Sequence, residues 1–195
     1  MPDPIEFHSV DALGAGAVGE PGRRAFYLQA RSEAAQLTVL VEKEQVALLA
    51  TEAIAFLDRI KDEYPEEPLT VPVEFAELRE PTVPLFRARL IGLGFDPERE
   101  LVLIELRERA EDDGDDGDDG DDDDDLGDDD EADRAGIPTR PEADGEDGFV
   151  ARIYATRPQV RAMAARSAVV VAAGRPPCDL CGQPRDSGHR CPRWN

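Results

Sequence analysis

Residues 25–60 read AFYLQARSEAAQLTVLVEKEQVALLATEAIAFLDRI, and this stretch decides the fold. Residues 25–31 and 36–41 either alternate between apolar and polar residues or consist of consecutive β-favouring residues. This pattern predicts two strands joined by the short turn 32–35. Apolar residues then recur at helical spacing, as Val46, Leu49, Ala53, Leu57 and Ile60. With a further strand predicted at residues 5–10, the first part of the chain has the order strand, strand, strand, helix.

The same order of elements returns later in the chain. Residues 85–91 and 101–107 are predicted to form a hairpin around the turn 96–98, and residues 149–154 a third strand. A helix follows, which is marked by Val160, Met163, Ser167 and Val170. The sequence therefore predicts an α+β fold, in which two βββα halves pack one helix each against a shared antiparallel sheet.

The starts of the two predicted helices support this repeat. Thr156 is a hydroxyl N-cap, Pro158 lies in the first turn and Gln159 takes the N3 position, which together form a capping-box pattern. Residues 42–45 hold the corresponding place before the first helix, with Gln45 matching Gln159. Short amphipathic helices resemble one another for physical reasons alone, so two unrelated helices remain the alternative.

Three cysteines and a histidine crowd into the last eighteen residues of the chain. Cys178 and Cys181 are separated by two residues, and His189 and Cys191 follow. Four thiolate or imidazole ligands are the set that Zn²⁺ binds tetrahedrally in structural sites, and Gly182 gives the turn after the first pair its backbone freedom. These four residues are therefore predicted to bind one structural zinc ion in a C-terminal zinc knuckle.

Two other interpretations of this cluster stay open, and a third fails. One is that the thiols are free in a reducing cytoplasm, although such clustering is compositionally unusual. Another is that His189 points away, in which case three thiolates would leave an open position on the metal for catalysis. Cys178 and Cys181 also match half of a zinc-deaminase signature, but the other histidine, His8, is not followed by the glutamate that this chemistry requires.

Charge is distributed very unevenly along the chain. The formal net charge is −22, and residues 111–147 hold 21 of the 44 acidic residues but only two arginines. The rest of the chain is therefore nearly neutral. A segment rich in Asp and Gly cannot bury enough apolar area to offset its conformational entropy, so residues 111–147 are predicted to be disordered and extended by self-repulsion.

The place of this acidic segment in the predicted repeat indicates an insertion at a hairpin tip. It lies between the second and third strands of the second half, where the first half has only the turn 32–35. We interpret it as a solvating loop, with a decoy for basic partners as the alternative, since no register fits an EF-hand. The predicted organisation is an α+β domain at 1–174, including the insertion 111–147, and a zinc-knuckle tail at 175–195.

Two further patterns bear on location and cofactors. No stretch approaches the roughly 18 apolar residues of a membrane span, and no basic, apolar leader opens the chain, so a cytoplasmic protein without a membrane partner is expected. Residues 14–19 spell G-x-G-x-x-G, but a dinucleotide fingerprint opens a helix. Here a strand is expected next, so we predict a flexible loop at 14–19 and no cofactor site.

Several motifs resemble those of an uncharacterised actinobacterial family whose members end in a Cys/His knuckle. The motifs are Leu28-Gln29-Ala30, Glu42-Lys43-x-Gln45-Val46, Ala173-Gly174-Arg175-Pro176-Pro177-Cys178, and Cys181-Gly182 followed by Gly188-His189-x-Cys191-Pro192-Arg193. The resemblance covers essentially the whole chain except the acidic insertion. It implies the C-terminal knuckle and carries over no established activity.

Three classes of function follow. The favoured one is a non-enzymatic interaction or adaptor protein, stabilised by zinc, with a protein partner of basic character. The second is a nucleic-acid-binding protein that uses the arginines and the tryptophan beside the zinc, although the net charge argues against it. These residues are Arg185, Arg190, Arg193 and Trp194. The third is an enzyme, as a component of a metal-dependent hydrolase. The sequence does not indicate an oligomeric state.

No catalytic residue is predicted. The serines lack the context of a nucleophile elbow, and the glutamates near the ends of predicted elements do not differ from ordinary surface residues. The residues considered are Ser9, Ser32, Ser167 and Ser187, and Glu42, Glu44, Glu74 and Glu77. Site prediction therefore stops at the four zinc ligands.

Overall fold

The computed structural model describes residues 3–65, 69–108, 148–174, 178–182, 185 and 189–193. The strands are β1 (Ile5–Phe7), β2 (Ala12–Val18), β3 (Ala25–Arg31), β4 (Gln36–Val41), β5 (Phe86–Arg87), β6 (Leu90–Asp96), β7 (Leu101–Arg107) and β8 (Val150–Ala155), and the helices are α1 (Lys43–Ile60) and α2 (Arg157–Ala172), with a 3₁₀ helix at Val73–Ala76. The predicted α+β class is confirmed.

The strands divide between two sheets, where the sequence predicted one shared antiparallel sheet. The strand orders are β1-β8-β7-β6 and β2-β3-β4-β5. Each sheet contains a three-stranded antiparallel meander and a short strand that pairs in parallel with the last strand of that meander. Because β1 pairs with β8 and β5 pairs with β4, each half contributes its short leading strand to the other half's sheet. Such short strands carry too little periodicity to reveal this exchange.

The first strand of the first meander is also not where it was predicted. The predicted flexible loop at 14–19 is wrong, because most of it forms β2, while the prediction of residues 5–10 corresponds to the short β1. A Cβ atom on Gly14 would lie 2.8 Å from the Ala76 carbonyl oxygen, and one on Gly16 would lie 2.5 Å from Leu78 Cδ1. Glycine occurs in this strand because the chain at residues 76–78 packs directly on its backbone.

The two βββα halves correspond residue by residue. Two paired triplets show this, Gly14, Gln29 and Thr38 in the first half and Gly92, Glu105 and Arg152 in the second. Four residues beyond Thr38 and Arg152 stand Glu42 and Thr156, the N-cap residues of α1 and α2. The predicted repeat of three strands and a helix is therefore present, with β2 as its first strand.

Each helix is tied to the sheets through the glutamine at its N3 position. Gln45 Oε1 accepts the N–H of its own N-cap residue at 2.8 Å, and Gln159 Oε1 does the same at 2.9 Å. The Nε2 groups then donate to the chain that follows an exchanged strand, from Gln45 to the Arg89 carbonyl at 3.1 Å and from Gln159 to the Val10 carbonyl at 2.8 Å. The predicted capping residue therefore also fixes the connection between the halves.

One hydrophobic core lies between the inner faces of the sheets and the two helices. Its largest fully buried apolar side chains are Leu57, Ile104, Leu106, Ile153 and Met163. Full burial of side chains of this size stabilises a fold by about 1.5–3 kcal/mol each before entropy is counted. Both halves contribute to this core, so neither half has a separate one.

The chain that follows the 3₁₀ helix crosses the outer face of the β2-β3-β4-β5 sheet. Gln29, only 1% exposed, holds this chain in place. Its Nε2 donates to the Arg79 carbonyl at 2.9 Å and to Thr38 Oγ1 at 3.1 Å, while its Oε1 accepts the Arg79 N–H at 2.8 Å. Every polar atom of this buried amide is therefore paired, as burial requires.

Some predictions fall on residues that the structure does not describe. The acidic segment 111–147 comes between β7 and β8 in the chain and lies outside the described residues, as do Ser187 and Trp194. The disorder of that segment and the domain bounds 1–174 and 175–195 stay predictions. Across the described ranges, no helix combines the length and apolar character needed to cross a membrane.

Candidate metal centre

The first two cysteines lie on a tight turn beyond α2. The N–H of Gly182 donates to the Cys178 carbonyl at 2.8 Å, which closes the turn. Gly182 has a φ of 74°, in the left-handed region that glycine adopts without steric cost. The predicted role of this glycine is confirmed, because the reversal brings Cys178 and Cys181 to the same side of the chain.

The structure brings all four predicted ligands together. The sulfur atoms of Cys178, Cys181 and Cys191 and a ring nitrogen of His189 all lie within 4.8 Å of one another. Cys178 Sγ is 3.9 Å from Cys191 Sγ, and Cys181 Sγ is 3.5 Å from His189 Nε2. Over the described part of the chain, this is the one such cluster of His, Cys, Asp and Glu donors. The group could therefore bind a metal ion.

Two distances between donor atoms of this group fit a tetrahedral ion. Bonds of about 2.3 Å to sulfur and about 2.0 Å to nitrogen, at tetrahedral angles, separate two thiolates by about 3.8 Å and a thiolate and an imidazole by about 3.5 Å. The distances of 3.9 Å between Cys178 and Cys191 and of 3.5 Å between Cys181 and His189 agree with these values. The donor set of three sulfurs and one nitrogen is also one that structural zinc sites use.

Local hydrogen bonds favour the thiolate form of one ligand. Backbone N–H groups of Cys181 and then Leu180 point at Cys178 Sγ and lower the pKa of that thiol to about 6. Burial has the opposite effect on Cys191, whose pKa it raises. The turn thus stabilises negative charge at its first sulfur, which is the form that binds metal.

The arginines beside the centre have different surroundings. Arg193 Nη1 donates to the Leu180 carbonyl at 3.2 Å, so this guanidinium contacts the backbone of the cysteine turn. Arg185 and Arg190 are exposed. The contact of Arg193 and the N–H groups directed at Cys178 were not anticipated from the sequence. The N–H groups follow from the turn at the two-residue cysteine spacing, whereas nothing in the sequence marks the Arg193 contact.

Three of the serines and glutamates considered as catalytic candidates have structural partners. Ser167 is buried and contacts the methionine sulfur one turn earlier at 3.5 Å. Glu42, the N-cap of α1, pairs with Arg87 at 2.7 Å, and Glu77 pairs with Arg166 at 3.4 Å. These contacts account for the three residues without a catalytic role.

The sequence of this chain matches a known family profile over most of its length. The profile of a family described as "protein of unknown function (DUF3090)" matches residues 5–191, a span that includes both halves of the fold and all four candidate ligands. Comparisons with curated proteins and with solved structures give no match. Because this profile match covers nearly the whole chain, the chain belongs to the DUF3090 family of proteins of unknown function.

Proposed function

We propose that the protein is a non-enzymatic interaction protein whose C-terminal region is stabilised by one structural zinc ion. The observation that carries this proposal is the convergence of Cys178, Cys181, His189 and Cys191, with all donor atoms within 4.8 Å of one another. Four such donors complete the tetrahedral shell of a structural zinc site.

Zinc, when bound there, supplies a cross-link between the turn 178–182 and residues 189–191. So short a segment cannot bury enough apolar surface to be ordered by a core of its own, which is why small metal-binding modules depend on their ion. The chain contributes the fixed turn at Gly182 and the N–H groups around Cys178. Its role at this centre is thus to hold four donors in place.

The composition of the centre supports a role other than catalysis. Catalytic zinc sites keep three protein ligands and leave one position for water or substrate. Here His189 Nε2 is 3.5 Å from Cys181 Sγ, so the imidazole would take the fourth position on a bound ion beside the three thiols. This supports a closed centre and argues against the alternative of a metal-dependent hydrolase component.

We further propose a protein partner of basic character in the cytoplasm. The chain carries a net charge of −22, which favours association with cationic surfaces and opposes binding to nucleic-acid phosphates. The contact between Arg193 and the Leu180 carbonyl also reduces the set of arginines that are free to reach a phosphate. Nucleic-acid binding through Arg185 and Arg190 is the second candidate and serves as an outcome of the test.

The test is affinity capture from a native lysate with the full-length, zinc-loaded chain as bait. We expect a protein to be retained at low salt and released at high salt, because charge-driven association is screened. Nuclease treatment and Arg190→Gln should not change its recovery, whereas Cys181→Ser should reduce it. Loss of the captured protein after nuclease treatment would favour the nucleic-acid alternative. No enrichment over the Cys181→Ser bait would contradict an interaction function that depends on the zinc centre.

A further inference from the structure

A cleft of about 600 Å³ opens beside the β2-β3-β4-β5 sheet, between the β3–β4 turn and the chain at residues 75–80. Arg31, at the end of β3, and Arg79, on the crossing chain, both line it. Phe75 lines it as well and is 51% exposed. A cleft of this volume is large enough to hold a small molecule.

Neither arginine in this cleft forms an ion pair within the described ranges, although carboxylates also line the cleft. Arg31 Nη2 donates to the Phe75 carbonyl at 3.3 Å, while its Nε is buried without a hydrogen-bond partner. Within the described ranges, no carboxylate forms an ion pair with Arg31 or Arg79, and the Arg79 guanidinium makes no hydrogen bond. Burial, and after it the charge of Arg79, lowers the pKa of Arg31. Two guanidinium groups that oppose each other's charge while neither is held in an ion pair call for an explanation.

The second half of the fold provides an internal comparison. Arg107 ends β7 as Arg31 ends β3, two residues beyond the equivalent positions Glu105 and Gln29. Arg107 Nε donates to Glu105 Oε1 at 2.8 Å, so this arginine has a carboxylate partner within its own strand. In the first half the neutral Gln29 takes the place of that carboxylate. The same position of the repeat therefore holds an arginine with an ion-pair partner in one half and, among the described residues, an arginine without one in the other.

The amide that replaces the carboxylate also positions the second arginine. Gln29 pairs with both the N–H and the carbonyl of Arg79, at 2.8 and 2.9 Å. This fixes the backbone of Arg79 at the edge of the cleft. Preorganised backbone reduces the ordering cost of binding.

We propose that this cleft binds the oxyanion, phosphate or carboxylate, of a small molecule, with the guanidinium groups of Arg31 and Arg79 as its ligands. Guanidinium groups present planar donors that match both oxyanions. Arg31 acts through its outer nitrogens, because Nε is closed to solvent. This site is separate from the metal centre and goes beyond the function proposed above.

The other lining residues restrict the ligand. Asp11, Glu33 and Glu80 border the cleft and would repel a polyanion such as nucleic acid. The same carboxylates can accept hydrogen bonds from hydroxyl or amino groups next to the bound oxyanion. Phe75 offers its ring to an apolar part of the ligand. The ligand class is therefore a small phosphate or carboxylate that also carries hydrogen-bond donors.

The test is a titration of the ¹⁵N-labelled, zinc-loaded, full-length chain, followed through its arginine Nε–H resonances. Inorganic phosphate is the first probe and acetate the second, each at constant ionic strength against chloride. We expect saturable shifts of the Arg31 and Arg79 resonances with at least one of the two anions. The anion that saturates at lower concentration identifies phosphate or carboxylate as the source of the oxyanion.

Two variants make the outcome decisive. Arg79→Gln should raise the apparent Kd at least tenfold, whereas Arg23→Gln, which changes an exposed arginine outside the cleft lining, should leave it unchanged. Arg31→Gln is less informative because Arg31 also binds the Phe75 carbonyl. Thermal unfolding shows whether each variant is folded. Shifts that fail to saturate with either anion, or equal affinities in Arg79→Gln and Arg23→Gln, would overturn the proposal.

Discussion

Replacing either of two equivalent glycines by alanine should have opposite effects on stability. Gly14 in β2 and Gly92 in β6 hold the same position in the two halves of the fold. An alanine Cβ at Gly14 would meet backbone, at 2.8 Å from the Ala76 oxygen and 3.0 Å from the Glu77 oxygen. At Gly92 the nearest atom would be Glu105 Cβ at 3.9 Å, which is ordinary contact.

These distances set the size of the effect. Forcing an extra methyl group against fixed backbone costs about 1–3 kcal/mol. Where the space is free, Gly→Ala stabilises by about 0.4–1 kcal/mol because it restricts the unfolded chain. Gly14→Ala should therefore lower the free energy of unfolding by about 1–2 kcal/mol, whereas Gly92→Ala should raise it by up to about 1 kcal/mol. Gly16→Ala should fall between them, because its closest neighbour is the movable side chain of Leu78.

The assay is urea unfolding of the zinc-loaded chain at one pH and salt concentration, with the slope against urea checked for each variant. Equal slopes would show that the variants differ in stability and not in the compactness of the unfolded state. If Gly14→Ala and Gly92→Ala had the same free energy of unfolding within about 0.3 kcal/mol, residues 76–78 would not be packed on β2 as described. A Gly92→Ala variant that was the less stable of the two would refute the reasoning outright.

Two further predictions concern the equivalent positions Gln29 and Glu105. Gln29→Leu should destabilise the fold by about 2–4 kcal/mol in urea unfolding, since it leaves buried backbone groups unpaired. Gln36→Leu, at an exposed position of the same hairpin, should cost less than about 1 kcal/mol, and equal costs would contradict the role of the buried amide. The hydrogen bond from Arg152 is the main cause that holds the pKa of Glu105 below its ordinary value of 4.5. The ionised Glu105 therefore stabilises the fold at pH values above 4.5, and this stabilisation is lost as the pH falls below 4.5 and through the lowered pKa. Glu105→Gln should therefore flatten the acid side of the stability curve measured by thermal unfolding between pH 3 and 7, whereas Glu52→Gln, at an exposed position, should leave its shape unchanged.

Local patterns in the sequence predicted the elements that local forces determine. The bounds of β3 and β4 agree with the predicted residues 25–31 and 36–41, because alternation and the turn between them lie in one short stretch. The two capping glutamines were marked by their N3 positions, which depend only on neighbouring residues. The four candidate metal ligands are likewise close enough in the chain for their spacing to indicate that they form one group.

Features that depend on residues far apart in the chain could not be predicted from the sequence. The glycines of β2 led to the prediction of a loop. The strand requires them because a segment about 60 residues further along the chain packs on it. The exchange of β1 and β5 between sheets has no local signal. The pairing of Arg31 with Arg79 depends on Gln29, which reads as an ordinary strand residue until its buried contacts are known.

The most direct test of the central claim is the zinc content of the purified, untagged chain by elemental analysis. About one zinc per chain is expected for the wild type, with loss in Cys181→Ser and weakened retention in His189→Ala. His8→Ala, which changes the chain's other histidine, should keep the full content. A wild-type chain without zinc would contradict the claim. A zinc content of His189→Ala equal to that of His8→Ala would contradict the closed four-ligand centre.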